Sequence, residues 1–458
     1  MTERSVAKWY LILLPFRLIT PLLFLQDFLG PLVGYLDAVL NVFGLLLWMS
    51  KDSRFLIPSN NISLYSTIKR SIIYLNCSSL IMAGVMLALY GEHNGENPFI
   101  AIIPMMLFYF QYLLMFLYNI RVFQLLNYKT VVDCIKKSCW ILLGVAYFQV
   151  LAMTAGLMPV YVSFAKVVGG FSTILPKLCL TGSEGAAAGS LLGVFVFPFI
   201  FSRILHGEKK ASIELFLWLI PLYFTYSSTG YILFAVDFML FLYLAVKNGY
   251  SGGKIVQRLI GLLLLGVIFY AVLSLGNFIQ SETWNDINYL LFEKATDADS
   301  GSRISRSIPF YLNWGAFTEM PLLGVGNGLQ GYFFNDYFPM EVLYMQGTDV
   351  GEFYDRAQLG IANGGCFFPG YFSGYGIIGL IVLIVVIKKL NITRKQRSQN
   401  LGLFNEMFIM GSLCFFPLGM QGEVYCLYFA WFVISIPFMY FSLDDITNAK
   451  SISCKRGH

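Results

Sequence analysis

The sequence predicts an all-α polytopic membrane protein, and three observations carry that prediction. Only 12% of the 458 residues are charged, 57% are hydrophobic and the mean hydropathy is +0.66. Soluble domains carry about 25% charged residues, so this supply cannot cover a water-facing surface. A soluble enzyme and a nucleic-acid binder are both excluded. The apolar residues also come in repeated runs of roughly 18–22, the length that spans a bilayer core. Finally, Lys and Arg concentrate in alternate loops between those runs, as orientation in a membrane requires.

Taken in order, the runs fall near 10–26, 31–49, 71–90, 99–118, 139–157, 188–205, 211–226, 228–246, 258–276, 370–387, 404–420 and 424–442. About twelve transmembrane helices are expected, the seventh and eighth closely coupled through Thr225–Gly230. The N-terminus puts Arg4 and Lys8 ahead of an apolar run and superficially resembles a secretory signal. That run contains Pro15 and Arg17 and no small-residue cleavage site follows it, so it reads as a retained first span.

Placing the N-terminus and alternate loops in the cytoplasm collects 24 of the 31 cations there, among them Lys51, Arg121, Lys136, Arg203 and Arg397. Six fall outside: Lys166, Lys177, Lys294, Arg303, Arg306 and Arg356. The opposite register inverts the ratio. Both termini are therefore expected inside, and the net charge of +5 belongs to the inner leaflet. Sixteen of the 26 acids face outward, most of them in one loop. The eight cysteines are scattered without metal-ligand spacing, and no disulfide framework is expected.

The chain divides into nine spans over 1–276, an external loop or cap over 277–369, three spans over 370–442 and a cytoplasmic tail over 443–458. Unstructured loops beyond about 12–15 residues are uncommon without a function, and this one has 93 residues. Within it, Phe310, Trp314 and Phe317 recur at helical spacing, which predicts an amphipathic helix on the membrane surface. A glycine-rich turn follows at 321–331, PLLGVGNGLQG, with Gly324, Gly326 and Gly328. Such glycines let a backbone approach a ligand closely, although a plain turn also explains them.

Ser305-Arg306, the aromatic helix and Pro321-Leu-Leu-Gly324-Val-Gly326 together resemble the large-loop motif of the O-antigen polymerase and O-antigen ligase superfamily. Thr225-Tyr-Ser227-Ser228-Thr229-Gly230 is similar to that family's T-x-S-R-T-G span junction. Ala362-Asn363 and Gly376-Ile-Ile-Gly379 resemble its H-N and G-I-I-G elements, and Thr181-Gly182-Ser183-Glu184 more distantly its T-G-x-S-E-P-S stretch. The family's junction arginine is Ser228 here, and the ligase histidine is Ala362. The three histidines, His93, His206 and His458, all lie outside the large loop. A repeat-unit polymerase is therefore preferred over a ligase.

The resemblance implies a GT-C-like glycosyltransferase, independent of metal and of any other cofactor, at the outer face of a bacterial cytoplasmic membrane. Donor and acceptor would be glycans linked to undecaprenyl diphosphate, with membrane lipids, a chain-length regulator and a flippase as partners and no nucleic acid. The leaving diphosphate needs positive charge in a low-dielectric site, and arginine supplies a bidentate fork. Arg306 and Arg303 are the first candidates, with Arg356 and Lys177 as further phosphate ligands. Glu184 and Glu319 are candidate bases, beside Glu352 and Asp355. Motif position adds Gly326, Asn327, Asn363 and Ser227 as substrate-binding residues. The plainer reading of Arg303 and Arg306 is pairing with Asp297, Asp299 or Glu319.

A flippase or transporter is the competing class, supported by span number and the intramembrane charges Arg17, Asp37 and Asp237. No internal repeat supports it. Arg17 and Asp37 are expected at one depth of the first helical hairpin, as a structural ion pair.

Overall fold

The computed structural model describes residues 2–16, 36–51, 56–93, 95, 97–169, 178–180, 185–247, 301–338, 367–421 and 428–447. These residues form helices joined by turns, with no strand among them. In chain order they are α1 (Glu3–Leu13), α2 (Leu36–Lys51), α3 (Ser59–Tyr90), α4 (Pro98–Leu125), α5 (Tyr128–Thr154), α6 (Met158–Gly169) and α7 (Ala186–Leu205). Then follow α8 (Lys209–Phe224), α9 (Ser228–Lys247), α10 (Gly301–Glu319), α11 (Gly331–Tyr337), α12 (Phe367–Gln396), α13 (Phe404–Gln421) and α14 (Tyr428–Ser435). The ninth expected span and Arg17 lie outside the described residues, so the expected Arg17–Asp37 ion pair does too.

Five of these helices are long and apolar enough to cross a bilayer: α3, α4, α7, α9 and α12. The chain is thus an all-α membrane protein with at least a multi-pass core. Shorter apolar helices occupy other expected spans. α8 has 16 residues, or about 24 Å at 1.5 Å each, short of a core of about 30 Å. The first expected span also differs in extent: α1 begins at Glu3, where the Thr2 side chain caps Ser5 N, and gives way to a turn at Leu14–Pro15.

α7 is apolar around its whole circumference and sits at the centre. Ninety-four per cent of its apolar window is buried, against 33–44% for the other four spans, the signature of a core helix ringed by lipid-facing ones. A π turn at Leu192–Val196 interrupts it. There Gly193 admits the Leu233 side chain of α9, and Gly411 of α13 lies against the Val194 carbonyl. Small residues at these crossings let the backbones come close.

Charged groups gather at one end. Glu3 accepts from Arg121 Nε at 2.5 Å and lies 3.5 Å from Lys51 Nζ, joining α1, α4 and α2. Arg203, at the end of α7, meets Glu208 and Glu214, and Glu208 also receives Lys136 Nζ at 2.8 Å. Arg397 donates to Asn61 Oδ1 and to the Pro437 carbonyl at 2.9 Å, tying α12 to α3 and to the turn after α14. All these cations belong to the set that the alternating-loop argument puts on one side. A buried polar ladder runs further in, from Tyr10 to Asn119 to Ser435, each step 2.9 Å.

Candidate functional site

The opposite end is built on an interrupted helix. α12 breaks at Gly376, whose φ of 61° and ψ of −156° are non-helical. Such a break frees backbone donors and acceptors that cannot be left unpaired away from water. The glycine-rich turn takes them up. Val325 N donates to the Ser373 carbonyl at 2.9 Å and Gly326 N to Gly374 at 3.0 Å. In return Ile377 N donates to the Pro321 carbonyl at 2.9 Å and Ile378 N to Leu322 at 3.2 Å. Two stretches far apart in sequence, P-L-L-G-V-G and G-I-I-G, are thus paired backbone to backbone.

Glycine is required on both sides of this junction. Gly324 has φ +75°, and a Cβ there would sit 2.4 Å from the Gly374 carbonyl carbon. A Cβ on Gly376 would sit 2.6 Å from the Gly324 nitrogen and the Pro321 and Leu322 oxygens. The close approach serves the α12 backbone, and the N–H groups of Ile377 and Ile378 are already occupied.

Side chains complete the seam. Gln330 Nε2 donates to the Gly370 carbonyl at 2.9 Å and to Asn327 Oδ1 at 3.1 Å, and its Oε1 accepts from Gly328 N at 2.8 Å. Ser373 Oγ donates to Asn313 Oδ1 at 2.7 Å, fastening α10 to α12. Ile308, Leu312, Ala316, Val325, Leu329 and Phe334 bury themselves against Met82, Met86 and Ile102 of α3 and α4. The described part of the large loop is therefore docked on the bundle.

The expected amphipathic helix is present as α10, but its inward face is Ile308, Leu312, Asn313 and Ala316. Phe310 and Trp314 are instead exposed, and Trp314 stacks on Phe317 with centroids 5.4 Å apart. The aromatic periodicity identified the helix and left its core-facing side to Ile308, Leu312 and Ala316. A cavity of about 320 Å³ opens between these aromatics and the start of α12, floored by Pro369, Phe372, Ile377 and Leu380.

Arg303 and Arg306 lie on the first turns of α10, about two turns and one turn before Phe310. Glu319 ends the same helix and accepts from Tyr337 Oη at 2.5 Å, a hydrogen bond that raises the Tyr337 phenol above its ordinary value. Gly326 and Asn327 are inside the seam, fully buried, rather than on the cavity wall. Ser227 sits elsewhere at this end: its Oγ accepts from Gly230 N at 3.4 Å, and Gly230 packs on Gly189 of α7. Glu184, Lys177, Arg356 and Asn363 lie outside the described residues. Among the described residues no group of three or more His, Cys, Asp or Glu side chains is arranged to hold a metal ion.

One residue that the sequence reading set aside, as lying outside the large loop, is brought to it. His93, in the loop after α3, packs against Tyr332 of the large loop, with centroids 4.7 Å apart and the rings tilted by 35°. Tyr332 Oη also donates to the Gly91 carbonyl at 2.9 Å. A histidine thus reaches the large loop from a distant segment, which no local motif announces. Compared with family models, curated proteins and solved structures, the chain matches none.

Proposed function

We propose that this protein is a membrane glycosyltransferase that polymerises undecaprenyl-diphosphate-linked oligosaccharide repeat units at the outer face of a bacterial cytoplasmic membrane, with both termini inside. The observation that supports this most is the convergence of the Arg306 helix, the P-x-x-G-x-G turn and the G-I-I-G element at one end of the bundle. Their meeting is what a single site built from those elements requires. The gathering of Lys51, Arg121, Lys136 and Arg203 at the other end is consistent with the orientation.

In the reaction, the acceptor hydroxyl oxygen forms a bond to the anomeric carbon of the donor glycan. The bond from that carbon to the diphosphate oxygen breaks, and undecaprenyl diphosphate leaves with the electron pair. Arg306 and Arg303 take up the developing negative charge. The hydroxyl proton goes to a carboxylate, and Glu319 at the end of the arginine-bearing helix is the described candidate. Purified protein given lipid-diphosphate-linked repeat units should produce a ladder of polymer lengths. Absence of any product longer than one unit, from folded protein, overturns the reading.

A ligase-type transfer is the second reading, favoured by His93 beside Tyr332. Replacing His93, His206 and His458 together with Gln separates the two. Polymer synthesis persists under the polymerase reading, and its loss from a folded variant favours histidine-assisted ligation.

A further inference from the structure

Among the described residues two that are not glycine have positive φ: Leu180 at 51° and Tyr226 at 45°. Both belong to one corner of the bundle. Leu178 N donates to the Phe224 carbonyl at 2.8 Å, a bond that joins the residues two before each of them. Left-handed backbone is costly for any residue with a Cβ, and for a bulky ring it is an outlier. It persists where the surroundings over-determine it, and it collects at functional sites.

The surroundings here do over-determine it. Gln149 of α5 grips Leu180 from both sides, Nε2 donating to its carbonyl and Oε1 accepting from its N–H, each at 2.9 Å. Gly189 of α7 and Gly230 of α9 cross so closely that a Cβ on either would lie 2.7–3.0 Å from the other's Cα. Thr225 Oγ1 donates to the Leu222 carbonyl at 2.7 Å. Leu180 is buried, and its conformation is explained by the Gln149 grip.

Tyr226 is different. It is the first residue past the Thr225 cap of α8, a position that glycine or asparagine fills without strain. The backbone bond made there, Tyr226 N to the Tyr223 carbonyl at 3.2 Å, needs no side chain. The ring is therefore what the strain preserves. It is half-buried, with Tyr223 and Phe224 at centroid distances of 5.8 and 6.2 Å. Anchoring in the aromatic interface belt is already open to Tyr223, which stands on unstrained helix.

The chemistry of the corner narrows the ligand. Residues 223–231, Tyr-Phe-Thr-Tyr-Ser-Ser-Thr-Gly-Tyr, carry no charge, so a phosphate finds no counter-ion among them. They combine aromatic faces with hydroxyl side chains, at the end of the bundle opposite Arg203. A pyranose lays its apolar C–H face on such a ring and leaves its hydroxyls to water and polar neighbours. We propose that Tyr226 is a sugar-stacking platform, and that the corner between α8 and α9 holds a neutral pyranose of the glycan through elements other than the α10–α12 seam. This rests on the reading of the substrate as a glycan.

The test uses the full-length protein in nanodiscs. The probe is the lipid-free repeat-unit oligosaccharide, released by mild acid from the lipid-diphosphate-linked units and titrated by saturation-transfer NMR. Wild-type protein should saturate the sugar C–H protons. Tyr226→Gly should weaken binding about tenfold, as loss of one aromatic contact implies, while the melting temperature stays at or above the wild-type value because the strain is released. Tyr226→Trp should restore most of the binding. No saturation transfer from wild-type protein, or equal binding by Tyr226→Gly, overturns the proposal. A fall in melting temperature with both Tyr226→Gly and Tyr226→Asn overturns it too, by making the ring a packing element. The polymer ladder is read separately: a ladder with binding indifferent to Tyr226 removes the platform and keeps the polymerase. Binding that depends on Tyr226 without a ladder does the reverse.

Discussion

At the end of the bundle that carries Arg203, a guanidinium 1% exposed is held between two carboxylates of neighbouring turns. At the end that carries Gly324, an irregular turn lies along a broken helix through four backbone hydrogen bonds. The first arrangement depends on charge: each partner is tolerable in the interior only because the other is there. The second depends on shape, because only glycine lets the two backbones come within bonding distance. The comparison separates two kinds of arginine. Arg203 is committed to holding helices together, while Arg306 stands on the helix that walls the cavity.

The largest expected effect tests that separation directly. Arg306→Ala should abolish polymer while abundance and melting temperature stay at wild-type values, and Arg306→Lys should restore little because the bidentate fork is lost. Full-length polymer from the alanine variant would reduce Arg306 to a structural residue like Arg203.

Arg203→Ala should do the opposite, lowering stability by about 3–5 kcal/mol because Glu214 and Glu208 lose their buried counter-charge. Joint replacement with Arg203→Met, Glu208→Gln and Glu214→Leu should recover most of the melting temperature. A triple variant as unstable as the single one would mean that packing around the guanidinium matters more than charge.

Gly324→Ala should cost about 2–5 kcal/mol, from the left-handed backbone and the clash with Gly374. Thermal melting in detergent measures it. A neutral result would show that the seam between the turn and α12 can open without penalty.

The smallest effect is a pH dependence confined to the charged end. Burial alone would raise the Glu208 carboxyl, but hydrogen bonds and charge from Arg203 and Lys136 bring it down to about 2. Against an unfolded value near 4.5, its stabilisation is complete above that pH and is lost as the pH falls toward 2. Melting temperature should decline across that window, and Glu208→Gln should flatten its share of the decline.

Much of the fold was legible because hydropathy is a local property. The helices at Ser59–Tyr90, Pro98–Leu125, Ala186–Leu205, Ser228–Lys247 and Phe367–Gln396 coincide with apolar runs, and α10 follows from the spacing of its aromatics. The boundaries were less legible. Residues 59–70 extend α3 ahead of its apolar run, and there Asn61 accepts from Arg397, a partner far away in the chain that no local pattern reports.

The sequence by itself determined that this chain lives in a membrane, where its long helices lie and that its cations favour one side. Each follows from the solvation of single residues or single turns, which composition and period report directly. Only the tertiary structure decided that the turn at 321–326 repairs the break at Gly376, that His93 meets Tyr332 and that Phe310 and Trp314 wall a cavity. Those outcomes turn on backbone groups freed by a kink and on which face of α10 wins the core. Neither has a hydropathy signature, because both are settled by partners distant in the chain.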